Sequence, residues 1–231
     1  MDPDDLTRLA AHAVALVPAR PGGTLVGLGS GRAAAAFVRA LGARARAGLD
    51  VRGVPTSEAT AALAREVGIA LEDLGPTPLA LTVDGADEVD PRLDLIKGLG
   101  GALVRERIVA AASEQQIILV TADKLVPRLG SRGRLPVEIV PFARALCERR
   151  LAALGIRPVL RQSNGRPFVS DNGNLILDSD IGPIDDPHAL EHAIRGIPGV
   201  VDTGLFLGTA AQVVVAEGGE LRVLTRPSTS A

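Results

Sequence analysis

The chain has 231 residues, of which 46% are hydrophobic and 23% charged, so it can bury a core and is not disordered as a whole. A net charge of −2 and the absence of Trp and Tyr argue against a nucleic-acid partner. No stretch approaches the ~20 apolar residues of a membrane span, and the single cysteine, Cys147, fits a reducing compartment. We therefore expect a cytoplasmic protein with neither nucleic-acid nor membrane partners.

The first half of the chain alternates short apolar runs with amphipathic segments. Apolar residues at helical spacing predict a first helix over residues 4–17. Further helices are expected in the Ala-rich segment that follows residues 29–31 and runs to about 46, after a cap at Thr56 or Ser57, and over 102–112. The predicted strands are 24–28, 51–54, 79–83 and 117–121. This alternation is typical of an α/β fold with a doubly wound, mostly parallel sheet.

Beyond Arg134 the predicted elements become shorter and are separated by Gly and Pro. The strands there are 135–140, 158–161 and 175–178, and the helices are 142–154 and 187–195. We expect a second, smaller α+β domain at 134–205 and an α/β catalytic domain made of 1–133 plus 206–231. The last two strands, 212–215 and 221–224, return to the first sheet, and the polar tail from Pro227 is expected to fray.

A glycine-rich turn, GLGSGR (27–32), joins the strand at 24–28 to the next helix. Free backbone N–H groups at a helix start suit a phosphate group. The turn lacks the third glycine of a dinucleotide fingerprint, because Arg32 stands there, and it is not a GxxxxGK[ST] loop. Taken alone, the glycines are explained equally well by a sharp strand-to-helix turn.

A second candidate is the acidic run DGADEVD (84–90) directly after the strand at 79–83. Carboxylates at the carboxyl end of a parallel strand lie in the crevice where such sheets bind ligands, so Asp84 and Asp87 could share one site. The alternatives are a solvated turn and a cation loop, although the spacing lacks the alternating ligands and final Glu of a calcium loop.

Two lysines stand out, because 23 of the 25 basic residues are Arg. Lys97 precedes the glycines of KGLGG (97–101). Lys124 follows the strand at 117–121, so it can reach the crevice. The alternative for Lys124 is an ordinary surface lysine.

The helix at 102–112 carries a candidate carboxylate. Its stripe of Val104, Ile108 and Ala111 is predicted to face the core, with Glu106 on the opposite side. A glutamate on a polar helix face is usually solvated, but the lysine, glycines and aspartates just upstream favour a site. His188 and His192 at i, i+4 lack a third metal ligand and are interpreted as a solvated helix face.

The ordered motifs GLGSG, DGADEV, KGLGGALVRERI and ADK resemble the ribose-5-phosphate isomerase A family, and NGNLILD (172–178) extends the resemblance into the second half. The resemblance implies interconversion of ribose 5-phosphate and ribulose 5-phosphate through an enediolate, without metal or cofactor. It implies a small-molecule sugar phosphate as the ligand and a homodimer or homotetramer as the assembly.

The resemblance also implies a set of functional residues. Glu106 would be the general base, Asp84 and Asp87 would assist proton movement at the sugar oxygens, and Lys97 with the amides of 98–100 would stabilise the enediolate. The implied substrate-contacting residues are Ser30, Gly31, Arg32, Ala33, Gly85, Ala86, Gly98, Leu99, Gly100 and Lys124.

Two departures from the family pattern concern the phosphate. The family usually reads GTGST where this chain has GSGRA (29–33), so two hydroxyls are replaced by a guanidinium and a methyl group. A family lysine near the N-terminus is matched by Thr7. We expect Arg32, with Arg8 as a weaker candidate, to supply the lost positive charge by a bidentate contact with phosphate.

Other functions that occur on the same fold are alternatives to an isomerase. A sugar-phosphate sensor would bind without turnover, but sensors of that kind carry a DNA-binding helix pair ahead of the sheet, and only about twenty residues precede the first strand here. An amino-sugar-phosphate deaminase would release ammonia. A coenzyme A transferase needs a nucleophilic carboxylate and an acyl channel, which the DGADEV and KGLGG motifs do not explain.

Overall fold

The structure is a computed structural model that describes residues 2–226. The chain divides into two compact units, the first made of Met1–Ala86, Arg105–Lys124 and Thr209–Ala231 and the second of Asp87–Val104 and Leu125–Gly208. The tail from Pro227, which was expected to fray, lies outside the described residues.

Six helices and sixteen strands are assigned in residues 2–226. The helices are α1 (Pro3–Ala15), α2 (Gly31–Arg46), α3 (Glu58–Glu66), α4 (Leu103–Ala111), α5 (Arg144–Ala153) and α6 (Pro187–Arg195). The strands are β1 (Thr24–Leu28), β2 (Val51–Pro55), β3 (Ala70–Leu71), β4 (Leu81–Asp84), β5 (Glu88–Val89), β6 (Leu95–Ile96), β7 (Gln116–Thr121), β8 (Arg134–Ile139), β9 (Arg157–Leu160), β10 (Gln162–Ser163), β11 (Arg166–Pro167), β12 (Leu175–Asp180), β13 (Val200–Thr203), β14 (Leu205–Phe206), β15 (Ala210–Glu217) and β16 (Glu220–Thr225).

The first unit is built on a seven-stranded sheet in the order β16-β15-β7-β4-β1-β2-β3. Every neighbouring pair is parallel except β15 with β16, which confirms the predicted mostly parallel sheet. Val26 and Leu28 of β1 pack with α1 and α2 in the main core. Gly27 lies on the other face, where an added Cβ would come within 2.5 Å of Val109 on α4. The absent side chain therefore lets α4 pack closely over the centre of the sheet.

The second unit carries three small sheets. A four-stranded antiparallel sheet, β13-β8-β12-β9, packs with α5 and α6 around a core that includes Leu135, Cys147, Leu151 and Ile194. The other two are the hairpin β10-β11 and the three-stranded β14-β6-β5. This is the α+β architecture predicted for the second half.

The unit boundaries differ from the predicted domain boundaries because residues 87–104 belong to the second unit. Their strands β5 and β6 pair with each other, and β6 pairs with β14 at Leu205 and Phe206. Residues 125–133 and 206–208 also fall in the second unit. Strands of two residues carry no periodicity, so the sequence could not reveal this sheet.

Helix starts follow local chemistry. The Asp2 side chain accepts from the Asp4 N–H at 2.8 Å with Pro3 in the first turn, and Ser57, one of the two predicted caps, accepts from the Thr60 N–H at 3.1 Å. No helix within residues 2–226 is both long enough and apolar enough to span a lipid bilayer.

Candidate active site

The glycine turn after β1 is packed directly against Asp84, in the first unit. Asp84 ends β4, beside β1, and is 2% exposed. An added Cβ at Gly29 would lie 2.4 Å from Asp84 Cγ, so only glycine permits this approach. Asp84 Oδ1 accepts from the N–H groups of Ser30 (3.1 Å) and Gly85 (2.8 Å). The sequence motif and the first acid therefore form one structural cluster.

A group of hydroxyls holds Ser30 from the other side. Ser30 Oγ lies 2.9 Å from both Thr56 Oγ1 and Ser57 Oγ, and Thr60 Oγ1 donates to the Gly29 carbonyl at 3.0 Å. Although Ser30 precedes α2, its side chain makes no capping bond to that helix. Thr56 and Ser57 were predicted only as alternative helix caps, although two hydroxyl residues at the end of the strand beside β1 were a usable signal for a site.

Glu106 lies on the buried face of α4, and the predicted helix phase was wrong. Glu106 is 6% exposed, whereas Ile108, predicted to face the core, is 48% exposed. The buried residues of the helix include Leu103 and Val109. The sequence of α4 has two overlapping apolar stripes, so its periodicity could not choose between them. The observed phase removes a carboxylate from bulk water, which is uncommon without a functional or structural reason.

The first turn of α2 and the end of β7 place the predicted phosphate-binding groups. Arg32 is exposed and forms no ion pair with any residue that the structure describes. The Ala33 side chain lies in the main core, so only its backbone can meet a ligand. Lys124 ends a 3-10 turn that follows β7, the neighbour of β4. Arg8, the weaker candidate, is bound to Asp5 at 2.7 Å.

Lys97 is a buried cation in the second unit. It follows β6, is 2% exposed, and its Nζ lies 5.5 Å from the centre of the Phe206 ring. At this distance an aromatic face stabilises an ammonium group. Phe206 is fully buried on β14, and nothing in the local sequence marked it as a partner of Lys97.

Asp87 supports the KGLGG loop (97–101) of the second unit. Its Oδ2 accepts from the Leu99 N–H at 3.0 Å, and its own N–H donates to the Ile96 carbonyl at 2.8 Å. The loop closes on itself through one bond, from the Gly101 N–H to the Gly98 carbonyl at 3.0 Å. Asp87 thus has a structural contact with the loop in addition to any contact with substrate.

The NGNLILD segment serves a structural purpose in the second unit. Glu138 is fully buried, and its Oε1 accepts from Ser170 Oγ (2.8 Å), Asn172 Nδ2 (3.1 Å) and Asn174 Nδ2 (2.9 Å). These bonds offset the cost of burying a carboxylate. Part of the family resemblance therefore reflects folding and not substrate contact.

The predicted site residues are divided between the two units. The first unit contains Ser30, Gly31, Arg32, Ala33, Asp84, Gly85, Ala86, Glu106 and Lys124. The second unit contains Asp87, Lys97, Gly98, Leu99 and Gly100. Within the first unit Ser30, Asp84 and Gly85 are in direct contact, and within the second unit Asp87 contacts Leu99.

Arg32, which forms no ion pair among residues 2–226, lies at a helix start and suits phosphate, and buried carboxylates can act as acid–base groups in proton transfer beside a carbonyl. On a mostly parallel α/β sheet, this combination fits the class of sugar-phosphate isomerases. The sequence model of the family described as Ribose 5-phosphate isomerase A (phosphoriboisomerase A) matches residues 52–220. The ribose-5-phosphate isomerase A of Gloeobacter violaceus is 52% identical over 228 residues, covering 97% of this chain and 98% of that protein. The chain belongs to the ribose-5-phosphate isomerase A family.

Solved structures agree with this assignment. The ribose 5-phosphate isomerase A of Methanocaldococcus jannaschii is 38% identical with a TM-score of 0.91, over 96% of this chain and 98% of that one. A D-ribose-5-phosphate isomerase in complex with phospho-erythronic acid is 34% identical with a TM-score of 0.91, over 98% of this chain and 100% of that one. Both the fold class and the family expected from the motifs are confirmed.

Proposed function

We propose that this enzyme interconverts ribose 5-phosphate and ribulose 5-phosphate with Glu106 as the general base. The reaction is that of the family. The observation that supports this base is the burial of Glu106 on the interior face of α4, where a glutamate of purely structural use would cost free energy. A carboxylate kept from water is suited to take a proton from carbon and to return it.

The proposed chemistry moves two protons, one from C2 to C1 through Glu106 and one from the hydroxyl at C2 to the oxygen at C1. Glu106 removes the proton from C2 of the open-chain aldose, the C–H electrons form the C1=C2 double bond, and the carbonyl oxygen at C1 becomes negative. The protonated Glu106 then delivers the proton to C1, while the hydroxyl at C2 loses its proton and becomes the ketone, and the negative oxygen at C1 gains a proton and becomes the hydroxyl. Asp84, with Asp87, assists proton movement at the two sugar oxygens.

Stabilisation of the enediolate oxygen is assigned to Lys97 and to amides of the KGLGG loop. A fixed donor aimed at a developing oxyanion contributes roughly 3 kcal/mol in the transition state. Lys97 is suited to this because its ammonium is held against Phe206 and screened from water.

Phosphate binding is assigned to the start of α2 and to two cations. The N–H groups of residues 31–33 lie in the first turn of α2, directly after Ser30. Arg32 and Lys124 form no ion pairs among residues 2–226. A guanidinium with no protein partner can donate hydrogen bonds to two phosphate oxygens at once. This assignment makes Arg32 the replacement for the two hydroxyls that the family usually carries in the turn.

The test of the base is Glu106→Gln, with Glu66→Gln as a control at an exposed glutamate of α3. Conversion of ribose 5-phosphate to the ketose is followed in the presence of a chelator, and affinity is measured with phospho-erythronic acid. We expect kcat to fall by roughly 10²- to 10⁴-fold in Glu106→Gln with affinity almost unchanged. Near-normal turnover in this variant would refute Glu106 as the base.

We further propose a cytoplasmic location and an even-numbered assembly, a homodimer or homotetramer. One buried, unpaired cysteine supports a reducing compartment, and the family resemblance supports the assembly. Light scattering on the purified protein tests the second point, and a monomer at micromolar concentration would contradict it.

A further inference from the structure

The backbone of the KGLGG loop needs an external support to hold its orientation. Gly98 and Gly101 have φ angles of +99° and +90°, which glycine adopts without strain. Apart from the bond from Gly101 to Gly98, the peptide groups of residues 98–100 are held by side chains from elsewhere in the second unit.

Arg161 is the main support. Its side chain is 11% exposed, and it binds both oxygens of Asp178 on β12, through Nε (2.9 Å) and Nη2 (2.5 Å). Its Nη1 donates to the carbonyls of Gly98 and Leu99, both at 3.1 Å. Four of the five N–H donors of the guanidinium are thereby used. A lysine could not make this set of bonds, because its ammonium lacks the planar fork.

Phe168 completes the support. Its ring centre lies 5.7 Å from the Arg161 guanidinium, and an added Cβ at Gly101 would come within 2.6 Å of the ring. The far end of the loop is therefore packed against the ring of Phe168, which in turn lies beside the arginine that binds the loop carbonyls.

These contacts determine where the loop N–H groups point. In a trans peptide the C=O and the following N–H point in opposite directions, and residues 2–226 contain no cis peptide. Because Arg161 holds the carbonyls of Gly98 and Leu99, the N–H groups of Leu99 and Gly100 point away from the guanidinium. Asp87 accepts a hydrogen bond from the Leu99 N–H. The Gly100 N–H, on an exposed residue, makes no hydrogen bond within the described residues.

We propose that Arg161 is a positioning residue for the isomerisation, which presents the Gly100 N–H to the negative oxygen of the enediolate. The proposal rests on the proposed function and specifies which loop amide takes part. The Leu99 N–H is already bound to Asp87, and Gly98 is buried. The accessible amide donor of the loop is then that of Gly100, and Asp87 and Arg161 set its direction from opposite sides of the loop.

The central experiment compares Arg161→Lys with Arg157→Gln. Arg157 is the matched control because it begins β9, which Arg161 directly follows, and it pairs with an acid of β12, Asp180. Its side chain is 82% exposed, and no contact with the loop is seen among the described residues. Because a misplacement of about 1 Å can cost up to roughly 10²-fold, we expect kcat to fall at least tenfold in Arg161→Lys. KM should stay within about twofold in that variant, and both constants should stay within twofold in Arg157→Gln.

Two further measurements separate positioning from folding. Hydrogen exchange of peptides covering 97–101 in the ligand-free protein should be faster in Arg161→Lys and unchanged in Arg157→Gln. Gly100→Pro, which deletes the proposed donor, should lower kcat to a similar extent as Arg161→Lys. A lower melting temperature with unchanged kcat in Arg161→Lys, or normal kcat in Gly100→Pro, would overturn the proposal.

Failure of the proposed function would look different. If the unaltered enzyme failed to convert ribose 5-phosphate, the reaction itself would be wrong, and the proposed positioning would fall with it. If the unaltered enzyme converts the substrate and Arg161→Lys matches it in kcat and in exchange, only the positioning by Arg161 is wrong.

Discussion

The two compact units hold their polar residues by different physical means. In the first unit the groups are attached to regular elements: Asp84 ends a strand, Ser30 precedes a helix, and Glu106 lies on one. In the second unit Leu99 and Gly100 lie on an irregular loop, which Arg161 and Asp87 hold by side-chain bonds. Placement on regular elements and close backbone packing, together with hydrogen bonds around Ser30, therefore fix the first set, whereas the second set depends on side-chain hydrogen bonds to a loop.

Within the second unit the largest effect should come from its buried cation, Lys97. Lys97→Met removes the ammonium beside Phe206 while keeping the apolar stem, so we expect kcat to fall roughly 10²- to 10³-fold, as for the loss of one oxyanion donor. The melting temperature is measured alongside, because removing one partner of a buried interaction can lower stability. Steady-state kinetics and thermal unfolding measure both. A large loss of stability with little loss of kcat would show that Lys97 is structural.

In the first unit the sharpest test is Gly29→Ala. The new Cβ would meet Asp84 Cγ at 2.4 Å and the Val83 carbonyl at 2.5 Å, and the backbone atom cannot move aside easily. We expect a loss of about 1–3 kcal/mol in the free energy of unfolding, together with reduced kcat, since Asp84 is displaced. Urea unfolding gives the first quantity.

Gly75→Ala is the control for that experiment, because an added Cβ at Gly75 meets no atom within 4 Å and its φ is not in the left-handed region. We expect this variant to match or slightly exceed the unaltered protein in stability. Equal stability of Gly29→Ala and Gly75→Ala would contradict the view that close backbone packing holds the first set of groups.

The same contrast explains what could be predicted from the sequence. The α6 helix was predicted with its observed bounds, and Ser57 as a cap, because both depend on neighbouring residues. The predicted orientation of α4 was wrong because Val104 and Ile108 form an apolar stripe of the same spacing as the residues that are in fact buried. Arg161 was missed because it lies 63 residues from Gly98, and no local pattern links them.

A smaller effect is expected for the departure from the family pattern in the glycine turn. Arg32→Ala removes an exposed guanidinium that pairs with no described residue, so stability should not change. If Arg32 grips the phosphate, KM for ribose 5-phosphate should rise roughly tenfold with little change in kcat. Arg39→Ala, on the same helix and paired with Glu66, should leave KM unchanged. An unchanged KM in Arg32→Ala would contradict the proposal that Arg32 replaces the family's phosphate-binding groups.

The smallest effect concerns Cys147, whose thiol is fully buried in the core of the second unit. Burial raises the pKa of the Cys147 thiol above its ordinary value near 9. The unfolded chain therefore loses this proton first as the pH rises. The protonated thiol contributes its full stability below about pH 9, and that contribution declines as the pH rises toward the folded-state pKa.

Urea unfolding of the unaltered protein and Cys147→Ala at pH 7, 9 and 10 tests this. At pH 7 the variant should be less stable by about 1 kcal/mol, through loss of a buried sulfur. The difference should narrow as the pH rises, because only the unaltered protein carries the thiol. A thiol reagent should modify Cys147 at pH 8 only when the protein is unfolded. A difference that stays constant with pH, or rapid labelling of the folded protein, would mean that the thiol is neither shielded nor shifted.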